Sequence, residues 1–247
     1  MHTYGDDFMD YADRSSRYSA RVIVKILVAE LSIKSVLDVG CAKGTWLEAW
    51  SASGVDRIHG VDGDYVDARR LVIPAELFTS TNVAQMFDLG KRFDLVQSLE
   101  VAEHIPVDSS DIFVQNLVNH SKGFILFSAA PPGQGGEFHI NEQTYEYWRA
   151  KFQKLGFEPF DCIRPNIVND PSVSFWYRYN VLLFVFKDIV ETLPMSIATS
   201  RIKSSRMIPD LSPPLFRLRK AVVRALPYRW QFMLARFKAT FFQSGRF

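Results

Sequence analysis

The segment Val36–Trp46 is the feature that most constrains the fold of this chain. It reads V-L-D-V-G-C-A-K-G-T-W, a short apolar run followed by two closely spaced glycines and a helical pattern. Glycine at Gly40 and Gly44 lets the backbone turn sharply and lets its N–H groups approach a ligand where the helix begins. The segment therefore predicts a strand–loop–helix unit of an α/β protein, with a small-molecule site at the loop.

Further βα units follow along the chain and predict a mostly parallel sheet with helices on both faces. Apolar runs between turn residues predict seven strands, at Ser35–Val39, Arg57–Val61, Leu77–Thr79, Phe93–Leu99, Gly123–Ala129, Phe157–Ile163 and Tyr179–Phe186. Helical periodicity is found at Ser19–Leu31, Thr45–Ser53, Ser109–Asn119 and Glu142–Leu155, the last with Asn141 as its N-cap. Because no helical crossover separates the last two strands, we expect them to be antiparallel. The sequence thus predicts a Rossmann-like seven-stranded sheet.

The charge of the chain is distributed unevenly, although its formal net charge is only +2. Residues 201–247 hold 11 of the 29 Lys and Arg residues but only one acidic residue, Asp210. A basic segment of this kind favours anionic surfaces such as phospholipid headgroups or nucleic acid. We therefore divide the chain into an N-terminal helical cap (1–34), an α/β domain (35–190), a linker (191–214) and a basic amphipathic C-terminal extension (215–247).

Residue usage also indicates the compartment. Two cysteines, Cys41 and Cys162, are too few for a disulfide framework or a Cys-rich zinc site. The acidic, polar N-terminus does not resemble a signal peptide, and the longest apolar run, Val181–Phe186, is far too short to span a bilayer. We therefore expect a cytoplasmic protein.

Two carboxylates flank the glycine loop. Asp38 precedes Gly40 by two residues, and Asp62 follows the second predicted strand, where an acid can hold the hydroxyls of a ribose. Dinucleotide-binding proteins use G-x-G-x-x-G to approach a pyrophosphate, whereas the spacing here is G-x-A-x-G. Asp38 would repel a pyrophosphate but suits the positive sulfonium and amino group of S-adenosylmethionine (SAM). An ordinary turn, with glycines for tight geometry only, is the alternative.

Three segments together resemble the first, second and fourth motifs of class I SAM-dependent methyltransferases: V-L-D-V-G-C-A-K-G-T-W, G-V-D-G-D and F-D-L-V-Q-S-L-E-V-A-E-H. The resemblance covers residues 35–187 in motif order and spacing. It implies that the loop wraps the methionine part of SAM, that Asp38 orients the amino group and that Asp62 holds the ribose. Asn82 replaces an Asp that the family often places against the adenine. The cofactor-binding residues implied in this way are Asp38, Gly40, Ala42, Gly44, Asp62, Asn82 and Ser98.

Acidic residues and histidines follow the fourth and fifth predicted strands. E-V-A-E-H ends at His104, and P-P-G-Q-G-G-E-F-H ends at His139. Methyl transfer from a sulfonium is an in-line displacement, so the protein has to position the acceptor and remove its proton. We expect the catalytic residues to be Glu100, His104 and His139.

Two mechanisms and a structural alternative remain open for these residues. In one mechanism, a divalent cation (Mg, Mn or Zn) acidifies an acceptor hydroxyl and is bound by Glu100, Glu103, His104 and His139. That pattern is similar to the metal site of ubiquinone-biosynthesis and small-RNA 3′-end methyltransferases. In the other mechanism no metal is used, and His104 or His139 is a general base. The structural alternative is that the Glu-His pair only caps the turn and lines the cofactor.

The acceptor is indicated only by a further resemblance. A-P-P-G-Q-G-G-E-F-H-I-N-E-Q and F-W-Y-R-Y-N-V-L-L-F resemble a bacterial subgroup associated with glycan and cell-envelope assembly. This implies an O-methyltransferase acting on a sugar hydroxyl of a glycan or glycolipid. The alternatives are ribose 2′-O-methylation of RNA, with the basic tail bound to phosphates, and a non-catalytic SAM-binding adaptor.

The C-terminal extension has an amphipathic pattern. Within Phe216–Leu226 the apolar side chains on one helix face are Leu218, Val222, Ala225 and Leu226, and the basic side chains on another flank are Arg217, Lys220 and Arg224. Tyr228–Phe242 repeats the mixture of aromatic and basic residues after Pro227. We expect this segment to hold the enzyme peripherally at the inner face of the membrane. The alternative is that its helices pack on the sheet.

Overall fold

The computed structural model describes residues 6–226, with side chains from Ser16 onward. Within that range the strands are β1 (Ser35–Val39), β2 (Arg57–Asp62), β3 (Phe78–Ser80), β4 (Phe93–Leu99), β5 (Ser121–Ser128), β6 (Phe157–Phe160) and β7 (Leu182–Phe186). The α-helices are α1 (Asp6–Glu30), α2 (Thr45–Ala52), α3 (Ser110–His120), α4 (Tyr145–Lys154), α5 (Arg164–Ile167), α6 (Phe175–Asn180), α7 (Met195–Ala198) and α8 (Pro214–Ala225).

The seven strands form one sheet in the order β3-β2-β1-β4-β5-β7-β6. β1 to β5 pair in parallel, and β7 is antiparallel to both β5 and β6. The carboxyl ends of β1 and β4, on either side of the point where the strand order reverses, therefore lie side by side. Open α/β sheets bind ligands at such a point. The Rossmann-like fold and the antiparallel terminal pair predicted from the sequence are confirmed.

The sheet is buried on both faces, which explains why its central strands are apolar throughout. All five residues of β1 are buried. On one face the core contains Ile23 and Leu27 of α1 and Trp50 of α2. On the other face it contains Phe113 of α3 and Phe152 of α4. Helices thus cover both faces, and the loops at the strand ends remain available for a ligand.

Two local predictions were wrong. Tyr179 and Asn180, predicted as the start of the last strand, instead end helix α6, in which Tyr177 and Asn180 are buried three residues apart. Asn141 is not the N-cap of α4. Thr144 caps it instead, since its hydroxyl accepts a hydrogen bond from the Tyr147 N–H at 3.2 Å. The buried Asn141 amide donates to Ser110 at 3.0 Å and so anchors the preceding loop.

Residues 191–214, which we expected to be a linker, pack against the α/β body. The buried guanidinium of Arg149 donates to the carbonyls of Ile202 and Arg206, at 3.2 and 2.7 Å. The guanidinium of Arg164, which is fully buried, donates to the carbonyl of Pro209 at 3.0 Å. A buried guanidinium needs several acceptors, and these carbonyls supply them. The segment is therefore part of the body.

Helix α8 lies at the start of the segment predicted to be a basic C-terminal extension. The predicted second half, Tyr228–Phe242, lies outside the described residues. Among the helices that the structure describes, none is long and apolar enough to cross a membrane.

Candidate active site

The glycine loop between β1 and α2 has the backbone that the sequence requires. Gly40 and Gly44 both have φ of +85°, and Ala42 also lies in the left-handed region at +48°. A Cβ on Gly40 would lie 2.4 Å from a methyl group of Val101, the residue directly after Glu100. The glycine loop and the segment that carries Glu100 to His104 are thus in direct contact.

Asp62 at the end of β2 supports this loop. Its carboxylate accepts hydrogen bonds from the N–H groups of Ala42 and Gly63, each at 2.7 Å, and from the hydroxyl of Tyr65. A carboxylate has about four acceptor positions, so the hydroxyl of a ligand can be added or can replace that of Tyr65. Asp62 therefore shapes the loop and offers an acceptor beside it.

Asp38 is a buried acid at the second-to-last position of β1. Burial raises the pKa of its carboxyl to about 7, and the nearby charge of Asp62 acts in the same direction. A cation bound beside Asp38 would favour the ionised carboxyl. The group is therefore suited to a positively charged ligand.

Asn82 and Ser98, which the family resemblance also implies as cofactor-binding residues, differ in their hydrogen bonds and burial. The side-chain oxygen of Asn82, after β3, accepts a hydrogen bond from the Ala84 N–H at 3.0 Å. Its second lone pair is available to an adenine amino group. Ser98 is fully buried, and its hydroxyl donates to the carbonyl of Val39 at 2.7 Å. Any effect of Ser98 on the cofactor would be indirect, through the position of β1.

Glu100 follows β4 in a strained conformation. Its φ of +57° is unusual for a residue with a side chain and costs about 1–3 kcal/mol, as is common at functional sites. Its carboxylate accepts hydrogen bonds from the amides of Gln134 and Asn180, at 3.0 and 3.2 Å. The two amides also bond to each other at 2.9 Å. Three polar side chains from three separate segments thus meet beside the glycine loop.

His139 is oriented by Glu142 on the loop after β5. Its Nδ1 lies 2.8 Å from Oε1 of Glu142. Oε1 also accepts the N–H of Gly135, and Oε2 accepts the N–H of Gly133, each at 2.7 Å. Because an ionised carboxylate can only accept, Nδ1 carries the proton and Nε2 carries a lone pair. Nε2 lies 3.9 Å from the carboxylate of Glu103.

His104 has a matching orientation. Its Nδ1 lies 3.2 Å from the carbonyl oxygen of Phe138, so Nδ1 donates and Nε2 again carries a lone pair. Burial, together with the nearby His139, lowers the pKa of His104 to about 3. The imidazole is therefore neutral at physiological pH. The ring centroids of His104 and His139 are 4.9 Å apart.

Glu103 is the least satisfied group of the site. Its side chain is fully buried, and neither carboxylate oxygen makes a hydrogen bond within the described part of the chain. Burial and the negative charge of Glu100 raise the pKa of Glu103 well above its usual value. A buried carboxylate without partners is costly unless a cation or a donor from a ligand meets it.

The structure brings together three of the four residues predicted to hold a metal. One donor atom each from Glu103, His104 and His139 lies within 4.8 Å of the other two. Glu100 lies outside this group because its carboxylate is held by the two amides. Sequence analysis missed three residues, Gln134, Asn180 and Glu142. The i, i+3 spacing of His139 and Glu142 was a usable signal, whereas the position of Asn180 depends on tertiary packing alone.

Comparison with known proteins adds the family. A sequence profile described as a methyltransferase domain matches residues 11–161. A search of curated protein sequences found no significant match.

Solved structures of similar fold are methyltransferases of several kinds. The magnesium protoporphyrin IX methyltransferase from Synechocystis, solved with SAM, is 19% identical with a TM-score of 0.54, over 75% of this chain and 88% of that one. An amino pentose methyltransferase from Micromonospora echinaspora, also with SAM, is 16% identical with a TM-score of 0.53, over 75% and 98%. A sugar N-methyltransferase from Streptoalloteichus is 16% identical with a TM-score of 0.53, over 76% and 97%.

At these identities the structures establish the fold, and the profile match over more than half of the chain establishes the family. The glycine loop with Asp38 and Asp62 lies at the point of the sheet where such a fold binds its ligand. The chain belongs to the methyltransferase-domain family and has the fold of the class I SAM-dependent enzymes.

Proposed function

We propose that the protein is an O-methyltransferase that transfers the methyl group of SAM to a hydroxyl of a sugar. The observation that carries this proposal is the arrangement of Glu103, His104 and His139 beside the glycine loop. Two imidazoles present Nε2 lone pairs near a carboxylate that lacks partners. A hydroxyl holds its proton tightly and needs a base or a metal to become a nucleophile. The arrangement offers both means of activation.

In the metal-free reaction, His139 acts as the general base. The acceptor oxygen attacks the methyl carbon, the bond from that carbon to sulfur breaks, and S-adenosylhomocysteine leaves with the sulfur electron pair. The hydroxyl proton passes to Nε2 of His139, and the Glu142 carboxylate at Nδ1 stabilises the imidazolium. His104 is a poor base, because its low pKa means that its imidazole binds a proton only weakly.

The same three side chains also fit a divalent cation. Histidine ligands usually donate their second N–H to a carboxylate or a backbone carbonyl, as His139 and His104 do here with Glu142 and Phe138. The unpartnered carboxylate of Glu103 would be the third ligand. A bound Mg²⁺, Mn²⁺ or Zn²⁺ would supply Lewis acidity to an acceptor oxygen. The two mechanisms predict opposite effects of chelation.

A sugar is the acceptor that we favour. Glu100, Gln134 and Asn180 combine a carboxylate with two amides, a set that both donates to and accepts from the hydroxyls of a sugar ring. Two proteins of similar fold are described as acting on an amino pentose and as a sugar N-methyltransferase. An amine acceptor needs no metal or strong base, so the histidine–carboxylate cluster favours oxygen as the methylated atom here.

The test uses SAM with a labelled methyl group and three sets of acceptors: nucleotide sugars, soluble glycosides and short RNA. We expect label in O-methyl ethers of a sugar, identified by mass spectrometry after acid hydrolysis. His139→Gln should abolish transfer while S-adenosylhomocysteine still binds, and Glu137→Gln on the same loop is the matched control. Label in the ribose of RNA, or SAM binding without transfer to any hydroxyl, would contradict the proposal.

Chelation then separates the two mechanisms. Activity that is lost after exhaustive EDTA treatment and restored by Mn²⁺ identifies the metal mechanism. Activity that survives this treatment but is lost in His139→Gln supports His139 as the base.

A further inference from the structure

Helix α8 presents an apolar stripe to solvent. Leu215, Leu218 and Val222 are 81%, 61% and 55% exposed. Their spacing of three and four residues places them on one side of the helix. Isolated exposed apolar residues are ordinary on a protein surface, but a continuous stripe along one helix indicates a contact.

The opposite face of α8 is fixed to the body. Lys220 and Val223 are buried, and the Lys220 ammonium lies 2.5 Å from the carboxylate of Asp210. The guanidinium of Arg219 donates to the carbonyl of Gln134 at 3.0 Å. A Cβ on Gly133 would lie 2.1 Å from the Lys220 carbonyl oxygen, so this glycine allows the helix to rest on the loop. These contacts fix the orientation of α8 on the body, and this orientation places the apolar stripe on the outward face.

The orientation of this helix differs from that of an ordinary surface helix, although Phe216 and Val223 do pack on the body. A surface helix normally buries its apolar stripe and exposes its charges. Here Arg219 and Lys220 face the body, whereas the apolar stripe faces outward. Arg217 and Arg224 are also exposed, and their seven-residue spacing places them together along one side of the stripe. Apolar side chains bordered by arginines match an anionic lipid surface, in which the apolar groups enter the headgroup region and the cations meet phosphates.

We propose that the outward face of α8, formed by Leu215, Arg217, Leu218, Val222 and Arg224, docks on an anionic phospholipid surface. We favour an anionic surface because residues 201–247 contain 11 basic residues and one acidic residue, so the positive charge of this segment complements negatively charged headgroups. The inward face of α8 holds Gln134 and Gly133 of the loop that also carries His139. Docking therefore brings the lipid surface next to the loop of the candidate active site, where an acceptor carried by the membrane would be within reach.

The test measures sedimentation of the full chain with vesicles, without SAM or acceptor, so its outcome does not depend on the proposed function. The vesicles contain either phosphatidylcholine alone or an equimolar mixture with phosphatidylglycerol. We expect binding to the mixed vesicles, with a loss of about fivefold for each of Arg217→Gln and Arg224→Gln and weakening by salt. Leu218→Asp should weaken binding at least about tenfold. The matched control is Met195→Asp, since Met195 is also an exposed apolar residue, at 76%, but lies on α7.

Three results would overturn the proposal. The first is equal sedimentation of the wild type and the Leu218→Asp variant. The second is a wild-type dimer that Leu218→Asp converts to a monomer, without vesicle binding by either, because the stripe would then join two copies of the chain. The third is a lower melting temperature of Leu218→Asp with unchanged vesicle binding, because the stripe would then pack against the chain itself.

Discussion

Replacing Glu103 by Met should stabilise the folded protein, and under the metal mechanism it should also remove activity. The Glu103 side chain is fully buried, and neither of its oxygens has a hydrogen-bond partner among the described residues. The carboxylates of Glu100 and Glu142 add unfavourable charge. Met has a similar length and no polar atoms, so the substitution removes these costs without leaving a large cavity.

The expected gain follows from the cost of leaving a buried polar group unsatisfied. That cost is about 1–3 kcal/mol. For a domain of this size, each kcal/mol corresponds to about 2–4 °C in melting temperature. We therefore expect Glu103→Met to melt several degrees above the wild type when no divalent cation is present.

The assay is thermal unfolding in EDTA, with Glu142→Gln as the matched variant. The Glu142 carboxylate accepts two backbone N–H groups and His139, so its loss should destabilise the protein by about 1.5–3 kcal/mol. Under the metal mechanism, Mn²⁺ should raise the melting temperature of the wild type and leave that of Glu103→Met unchanged. A Glu103→Met variant that melts below the wild type in EDTA would refute the reasoning, because the carboxylate would then have a partner.

Two further predictions concern the glycine loop and Asp38 beside it. Burial raises the pKa of Asp38 to about 7, so its carboxyl is ionised above that pH and protonated below it. The affinity for S-adenosylhomocysteine, whose amino group is positive, should fall by up to about tenfold per pH unit below the pKa. Calorimetry should find this dependence missing in Asp38→Asn, and a similar dependence in that variant would assign it to another group. Gly40→Ala should abolish S-adenosylhomocysteine binding in the same assay, because its Cβ would meet Val101 at 2.4 Å with φ of +85°; unchanged affinity would show that the loop adapts.

The fold could be predicted because its signals are local. The buried run before Gly40 and the turn residues between later strands fix the order of the elements, and parallel pairing follows from the alternation with helices. The start of the last strand was missed because the aromatic residues of α6 have β propensity, and their helical conformation depends on tertiary packing that the sequence does not show. Packing of residues 191–214 could not be predicted, because it depends on the distant guanidiniums of Arg149 and Arg164.

The candidate site could be predicted only in part, because some of its contacts also join residues that are distant in sequence. Residues close in sequence to a motif, such as Glu103 and His104, were identified from their spacing. The amides that hold Glu100 come from two distant segments, and no sequence pattern connects them. Glu142, which orients His139, lies only three residues away and could have been identified from that spacing. The orientation of α8 was also not predictable, because the sequence allows either its apolar or its basic face to be buried. The contact of Lys220 with the loop at Gly133 determines which face points inward.

We expect the loop between β1 and α2, together with Asp62, to hold the cofactor. The most direct test is calorimetric titration of S-adenosylhomocysteine into the wild type, Asp62→Ala and Asp64→Ala, each checked for cooperative unfolding. Asp64 is the matched control, since it is an exposed acid two residues away. A hydrogen bond to a charged group contributes about 1.5–3 kcal/mol, so Asp62→Ala should bind at least about tenfold more weakly and Asp64→Ala as the wild type does. Equal affinity of Asp62→Ala and the wild type would contradict the account.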